Sequence, residues 1–270
     1  MTLNLAHGRQ TGLHQLLQTG AQARAHLDAV ATVVAAEDPH LLALQEADGP
    51  SFWSGNFDHL AHLARQRSFA WHLRGEHVRA PGLSYGTGLI STLTPAETRA
   101  VTFAPRIGSP PKGFLLSRVS WPGGSRPLDV VSVHLDPLFA HRRRQQAVEL
   151  IAALEARGQP LVLMGDFNTD WGAPDSALRY IAEALDLKAH RPQAPDLVTF
   201  PGLNKRLDWI LISSELQFLH HQVLQAELSD HRAVVAWIGP GQPPMPGLQA
   251  RSPGGERTAP ARRAEVADRS

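Results

Sequence analysis

Eight side chains of the kinds that move protons or hold cations stand at the ends of apolar runs: Asn4, Glu46, His134, Asp166, Asn168, Asp208, Asp230 and His231. The clearest case is Pro160-Leu161-Val162-Leu163-Met164, apolar without alternation, broken by Gly165 and followed by Asp166, Asn168 and Asp170. Such a run reads as a strand buried on both faces. Polar groups at the end of a buried strand are held rigidly at the rim of a sheet, where α/β enzymes keep their chemistry. Asp166 and Asn168 are two apart, so in extended geometry they point the same way; one can take a proton while the other donates to an anionic oxygen. An Asp-Asn turn closing a strand accounts for the same residue types. Each of the others also has a plain explanation: Glu46 as a solvated strand end, Ser229-Asp230 as a turn, Asp208 as a partner of Arg206, His134 as a satisfied core histidine. Taken together, strand ends carrying carboxylates, carboxamides and imidazoles, with no lysine and no serine nucleophile among them, point to a reaction centre.

The residue types narrow that reaction. Carboxylates with carboxamides suit a hard cation such as Mg²⁺, and two imidazoles added to them suit neutralisation of a phosphoryl transition state. Zinc fits less well, because no His-Glu-x-x-His or similarly tight ligand spacing occurs. The phosphate-binding Gly-x-x-x-x-Gly-Lys-[Ser/Thr] loop and the Gly-x-Ser-x-Gly nucleophile elbow are absent. Tyr85-Gly86-Thr87-Gly88 is a lone glycine-rich patch that specifies nothing by itself. The 270 residues include no cysteine, which excludes a disulfide scaffold, a thiolate zinc site and a cysteine nucleophile.

The elements that must carry these groups follow from periodicity. Strands are expected at residues 2–5, at 41–44 running into Gln45-Glu46, and at 85–91, 113–119, 128–134, 206–212 and 233–238, besides the run ending at Asp166. Helices are expected at residues 20–37, where Leu27, Val30 and Val34 share a face and Pro39 ends the helix, at 57–67, and at 140–157. The last has Val148, Ile151 and Leu154 as its apolar face, Arg142-Arg143-Arg144 in its first turns and Gly158 as its cap. A fourth helix is expected from Asp175 or Ser176 to Leu187. Strands and helices mix without regular alternation, which favours sheets of mixed direction over a doubly wound parallel sheet. Residues 1–239 read as one domain. Residues 240–270, rich in Pro, Gly, Ala and Arg without periodicity, read as a disordered tail.

Composition sets outer limits. Hydrophobic residues are 43% and charged residues 19% of the chain, enough for a sizeable core. The formal net charge is +1, and residues 241–270 carry five arginines against three acidic residues, which leaves the remainder at −1. A near-neutral body argues against coating long nucleic acid by charge alone, while leaving room for a local basic cleft. No apolar run reaches membrane-spanning length, and no signal-peptide pattern follows Met1, so a cytoplasmic, monomeric protein is expected. The strand at residues 2–5 begins so near Met1 that either it is a stub or the native start lies upstream, where a signal peptide could sit.

In order, Asn4-Leu5 with Gly8, Leu44-Gln45-Glu46, Tyr85-Gly86-Thr87-Gly88-Leu89-Ile90-Ser91, Ser132-Val133-His134-Leu135, Gly165-Asp166-Phe167-Asn168, Arg206-Leu207-Asp208-Trp209-Ile210 and Ser229-Asp230-His231 resemble the motifs of the endonuclease/exonuclease/phosphatase superfamily. The resemblance runs from residue 3 to about 238. It implies a DNase I-like fold, a four-layer α/β/β/α sandwich of two packed mixed β-sheets. It also implies a Mg²⁺-dependent phosphoester hydrolase, with Mn²⁺ as a substitute. Glu46 would hold the metal with Asn4 and Asp230 nearby. Asp166 would orient or deprotonate the attacking water, Asn168 and His134 would donate to phosphoryl oxygens, and Asp208 would orient His231 against the phosphorus or the leaving oxygen. Attack would be in line, without a covalent enzyme intermediate. The strand before Asn4 is shorter than in many relatives. Trp209 stands where many carry Tyr, and Ala6 stands where the DNA-repair branch has an acidic residue.

Substrate is not settled by fold. A nuclease or small phosphodiesterase leads. A phosphatase or phospholipase C-type hydrolase on inositol phosphates or lipid headgroups is the alternative, and a binding scaffold without catalysis is the reading from another class. Loop residues His7, Arg9, Trp53, Tyr85, Lys112 and Trp171 are the candidates for substrate contact. Trp53 and Trp171 could stack on a base or a headgroup, or pack their own loops. Arg142-Arg143-Arg144 could clamp phosphates or form a solvated helix face.

Overall fold

The uninterrupted apolar run before Asp166 has two different cores to fill. Leu161 and Leu163 belong to one buried cluster, Val162 and Met164 to another. Because successive strand residues point to opposite faces, a strand sandwiched between layers must be apolar at every position. Val131 and Val133 against Leu128 and Val130, and Trp209 and Leu211 against Ile210 and Ile212, divide in the same way.

The computed structural model describes residues 1–12, 14–66, 69–105, 107–122 and 124–241; the tail expected from residue 240 lies, from 242 on, outside them. The elements in chain order are β1 (Thr2–Asn4), α1 (Gly20–Glu37), β2 (Leu41–Asp48), α2 (His59–Gln66), β3 (Trp71–Ala80), β4 (Leu83–Ser91), β5 (Pro95–Thr102) and β6 (Gly113–Val119). Then come β7 (Leu128–His134), α3 (Ala140–Leu154), β8 (Leu161–Asp166), α4 (Ala177–Ala184), β9 (Leu187–Ala189), β10 (Asp208–Ser213), β11 (Leu216–Val223) and β12 (Val234–Pro240). They build two six-stranded sheets, ordered β11-β12-β1-β2-β4-β3 and β5-β6-β7-β8-β10-β9. Only β1/β2 and β7/β8 pair in parallel; the other pairs are antiparallel. Leu3, Leu42, Leu44 and Ile90 of the first sheet pack on Leu27 and Val30 of α1 and Leu60 of α2. Phe114, Val131, Leu163 and Trp209 of the second pack on Leu150 of α3 and Ile181 of α4. Ala43, Leu89, Leu115, Val130, Met164 and Ile210 fill the space between the sheets. This is the expected four-layer DNase I-like sandwich.

The helix ends obey local chemistry. Thr19 and Gln22 form a capping box at the start of α1, the Gln22 N–H donating to Thr19 Oγ1 and the Thr19 N–H to Gln22 Oε1. Asp38 ends α1 in the left-handed region at φ 45°, just before Pro39. Ser176 caps α4 through the Arg179 N–H.

Several expected boundaries need correction. The strand at residues 41–44 continues to Asp48, and the one expected from 206 starts at Asp208. The helix expected at 57–67 is described from His59 to Gln66. Helix α3 stops at Leu154, and Val148 is 50% exposed; Ala147 and Leu150 join Ile151 and Leu154 on the buried face. Helix α4 ends at Ala184, since Leu187 starts β9 against β10. Four strands were not expected at all: β3, β5, β9 and β11. They are the four outer edges of the two sheets.

Candidate active site

The faces that fill the inter-sheet core end in polar residues, and these meet at one rim. In β8 the inter-sheet row Val162, Met164 continues to Asp166; in β10 the row Ile212, Ile210 runs back to Asp208; in β7 Val130, Ser132 continues to His134. Beneath the rim lies a buried polar layer. Gln45 Nε2 donates to Ser132 Oγ at 3.1 Å and to Thr2 Oγ1 at 3.3 Å, tying the two sheets together. Ser132 Oγ in turn donates to the Leu44 carbonyl at 3.2 Å.

Glu46 reaches this rim by a β-bulge. Strict alternation would place it with Leu42 and Leu44 against the helices. Between Leu44 and Ala47 the register against β4 shifts, Glu46 takes φ 49°, and Ala47 instead joins the helix-facing cluster. Glu46 is thereby turned toward Lys112, beside β6 of the second sheet. Asn4 crosses the same gap, its Nδ2 donating to Asp166 Oδ2 at 2.9 Å, and its Oδ1 accepts the Ala6 N–H at 3.0 Å.

Around Asp166, which is 1% exposed, stand two imidazoles: His134 Nε2 at 3.4 Å and His231 Nε2 at 3.9 Å from Oδ2. His231 Nδ1 lies 2.7 Å from Asp208 Oδ2. Burial opposes charge on His231, but Asp208 and Asp166 outweigh it and raise its pKa, so the ring is held as an imidazolium. Burial is also the largest influence on Asp166 and raises its carboxyl, with Asp208 adding to the rise and His231 opposing it. His134 differs. Burial first, then the neighbouring Lys112 ammonium, holds its pKa well below the ordinary value. Lys112 Nζ sits 3.3 Å from His134 Nδ1, so Nδ1 accepts and Nε2 carries the hydrogen that faces the site. Asn168 is in the left-handed region at φ 50°, with Nδ2 donating to the Leu135 carbonyl at 3.0 Å and its own N–H to Asp166 Oδ1 at 2.9 Å.

A second group surrounds Glu46. Lys112 Nζ is 3.2 Å from Oε1; His7 Nε2 and Arg9 Nη1 are 3.5 and 3.9 Å from Oε2. Burial opposes charge on Glu46, and Lys112, His7, His134 and Arg9 together hold its carboxyl well below the usual range. His7 Nδ1 is 2.7 Å from Asp48 Oδ1, and Trp53 Nε1 donates to Asp48 Oδ2 at 2.7 Å. Tyr85 packs edge-on against His7 with ring centres 4.9 Å apart. Asp230 lies outside this group as the ion-pair partner of Arg9.

The structure thus brings together Asn4, Glu46, His134, Asp166, Asn168, Asp208 and His231. Of the loop candidates, His7, Tyr85, Lys112 and Trp53 line the Glu46 side, and Arg9 links Glu46 to Asp230. Trp171 packs beside Trp209, 6.1 Å between ring centres, at the margin of the α3/α4 core. Arg206 does not pair with Asp208; it lies 3.7 Å over the Trp209 ring and donates to the His190 and Arg191 carbonyls. The three consecutive arginines are also engaged within the chain: Arg142 over Phe139, Arg143 on the Asp136 carbonyl, Arg144 over Tyr180. Asp48 is absent from the sequence candidates; its spacing of two from Glu46 was the available signal.

The donor set suits a divalent cation. Asp166 and Asp208 present carboxylate oxygens within 4.8 Å of each other beside His231, whose imidazolium form has no lone pair to offer, and Asp208 Oδ1 is buried without a hydrogen-bond partner. With Glu46 and Asn4 the set is mostly oxygen, as hard cations require. No described helix is long and apolar enough to cross a membrane.

The fold has counterparts among solved structures. Among solved structures, an endonuclease/exonuclease/phosphatase from Beutenbergia cavernae superposes with TM-score 0.72 at 22% identity, over 89% of this chain and 70% of that one. The human Nocturnin catalytic domain with bound sulfate gives 0.61 at 16% identity, over 81% and 86%. A mannosyl-6-phosphatase from Bacteroides thetaiotaomicron gives 0.63 at 14%, over 88% and 97%. These likenesses establish the fold. A search of curated proteins found no match. The sequence profile of the Endonuclease/Exonuclease/phosphatase family matches residues 1–231, and the chain belongs to that family of hydrolytic enzymes.

Proposed function

We propose that this protein is a Mg²⁺-dependent phosphodiesterase that hydrolyses its substrate by in-line attack of water. The observation that carries this reading is the convergence on Asp166 of Asn4, His134 and the Asp208–His231 pair, at 2.9, 3.4 and 3.9 Å. Asp166 accepts a proton from the attacking water as the new P–O bond forms. Asn4 holds the carboxylate in place, and burial makes it a better base than an exposed aspartate. His134 Nε2–H and the second amide hydrogen of Asn168 donate to the phosphoryl oxygens. His231, kept cationic by Asp208, neutralises the transition state and gives its Nε2 proton to the leaving oxygen as the second P–O bond breaks. Glu46, with Asn4 on the same rim, would hold the divalent ion, which when bound supplies positive charge to the phosphoryl group. Resemblance to a mannosyl-6-phosphatase supports the alternative of a monoester substrate.

The test compares bis-p-nitrophenyl phosphate with p-nitrophenyl phosphate, with Mg²⁺, Mn²⁺ or EDTA, for the wild type, Asp166→Asn and His231→Ala. Metal-dependent turnover of the diester that both substitutions abolish is expected. Preference for the monoester would replace the reading with a phosphatase. Near-normal turnover in either variant would sink the roles given to these residues.

A further inference from the structure

Among the described residues, eleven large apolar side chains stand exposed. Seven of them lie on the connections at the Asp166 end of the sheets, and none on the connections at the opposite end. Leu16 and Leu17 follow β1, Phe52 follows β2, and the short turns that carry them pack together. Ile107 precedes β6, and Leu138 and Phe139 follow β7, so a second apolar group belongs to the other sheet. Leu203 precedes β10. Asn4, Asp48, Lys112, His134 and Asp208 stand where these connections meet their strands, so the apolar tips surround the reaction centre.

Polar groups hold the tips out. Asp136, 2% exposed, accepts the Leu138 and Phe139 N–H groups, each at 2.8 Å. Arg142 lies over the Phe139 ring and donates to the Ile107 carbonyl at 2.7 Å, which ties these two connections together. On the first sheet the Phe52 N–H donates to the Gly82 carbonyl at 2.9 Å. The backbone at these tips is satisfied while the side chains stay in water, a cost that a partner surface would remove.

Two properties select the partner. What covers tips on both sides of the mouth must also present a phosphoester to the centre between them. Its net charge must also suit the rim. Exposed Arg79 and Lys205 are matched there by exposed Asp175 and Glu227, and Arg142, Arg143 and Arg144 are engaged within the chain. A nucleic acid is held chiefly by excess cationic charge, which this rim does not supply. A zwitterionic phospholipid layer carries an apolar interior, phosphodiester headgroups and no net charge.

We propose that this rim docks on a zwitterionic phospholipid surface, its apolar tips entering the layer on both sides of the mouth, with a headgroup phosphodiester as substrate. The inference rests on the phosphodiesterase reading above and names its substrate class. The step is the one already given. The water oxygen joins phosphorus and its proton goes to Asp166, while the P–O bond to an alcohol of the lipid breaks and that oxygen takes the Nε2 proton of His231.

The test sediments the full chain with phosphatidylcholine vesicles and measures bis-p-nitrophenyl phosphate turnover with Mg²⁺ in parallel. The wild type is expected on the vesicles. The combined variant Leu17→Ser, Ile107→Ser and Leu138→Ser alters side chains that are 75%, 97% and 63% exposed and touch no reacting group. It should partition on the order of 100-fold or more less, as expected for removing that much apolar burial, with bis-p-nitrophenyl phosphate turnover unchanged. Headgroup release from the vesicles should fall with the partitioning. Leu219→Ser with Trp237→Ser removes exposed apolar side chains of β11 and β12 instead, and should leave both readouts unchanged. Equal partitioning of the rim variant, or equal loss in the β11/β12 variant, would overturn the proposal. So would wild-type self-association in sedimentation velocity, or binding of an oligonucleotide, that the rim variant abolishes. A wild type that turns over bis-p-nitrophenyl phosphate but stays off the vesicles would overturn the docking surface alone. One that binds vesicles through the rim yet hydrolyses neither substrate would overturn the hydrolase reading alone.

Discussion

Asn4 and Asp166 belong to different sheets and are joined by a single hydrogen bond of 2.9 Å across the mouth of the sandwich. Asn4, at the end of β1, pairs with Gln45 of β2, and Asp166 pairs with His134 of β7 and Asp208 of β10. The carboxylate is therefore located by both halves of the molecule. Asn4→Ala is expected to reduce kcat roughly 10- to 100-fold, since a small misplacement of a reacting group has that effect. The acid limb of the pH–rate profile should move to higher pH, because Asn4 favours the charged form of Asp166. A steady-state pH profile of the variant measures both; an unshifted limb would deny Asn4 this part.

Asp208 fixes the charge and orientation of His231 through the 2.7 Å contact at Nδ1. Asp208→Asn keeps the shape but removes the charge. A loss in kcat on the order of 10³-fold or more is expected, by analogy with the same substitution in other Asp–His pairs. NMR of the His231 ring should show its pKa falling, since Asp208 is the largest influence raising it. A variant with wild-type titration and turnover would show that the pair is structural only.

Gly165 places Asp166. Its φ is +147°, and a Cβ there would lie 2.0 Å from the Val133 carbonyl oxygen of the neighbouring strand. Gly165→Ala must push β7 and β8 apart. A loss of about 3 kcal/mol or more in stability is expected from overpacking plus backbone strain, with lower activity in the molecules that fold. Urea denaturation measures the first, and an effect below about 1 kcal/mol would contradict the packing described here.

Asp129, 1% exposed, accepts from Arg118 Nε at 2.8 Å and Arg157 Nε at 2.5 Å, and Glu97 bridges the same arginines at the surface. Burial works against its charge, but the two arginine hydrogen bonds outweigh it and hold the carboxyl below its ordinary value. A depressed folded pKa means stability that is full above the unfolded value of about 3.9 and is lost as pH falls through the folded one. Asp129→Asn should therefore cost about 3 kcal/mol at neutral pH. The gap from wild type should narrow below about pH 4. Urea midpoints from pH 7 to 3 check the sign; a gap that widens in acid would refute it.

Sequence alone determined the central strands and the chemistry at their ends. β6, β7, β8 and β10 are flanked by strands and carry apolar residues of both core clusters, so their pattern is legible along the strand. The edge strands β3, β5, β9 and β11 are not legible for the converse reason. β5, for example, is exposed or half-exposed throughout, and its sequence Pro95-Ala96-Glu97-Thr98-Arg99 carries no apolar period. Its place is set by pairing with β6, which only the folded sheet supplies. The site divides in the same way. Asp166, Asp208 and His134 announce themselves because each stands at an end of a buried strand, with Asn168 two residues beyond β8 and His231 three residues before β12. That Glu46 faces them was decided by the bulge at Gln45-Glu46: alternation counts faces by twos, and one extra residue reverses the count. That Asp48 holds His7, and that Lys112 comes to lie between Glu46 and His134, was decided by the packing of two sheets whose contributing residues are separated by 41, 66 and 22 positions. No local pattern encodes contacts at that range. They arise where the inter-sheet core runs out of apolar side chains and the polar ends of both sheets must satisfy one another.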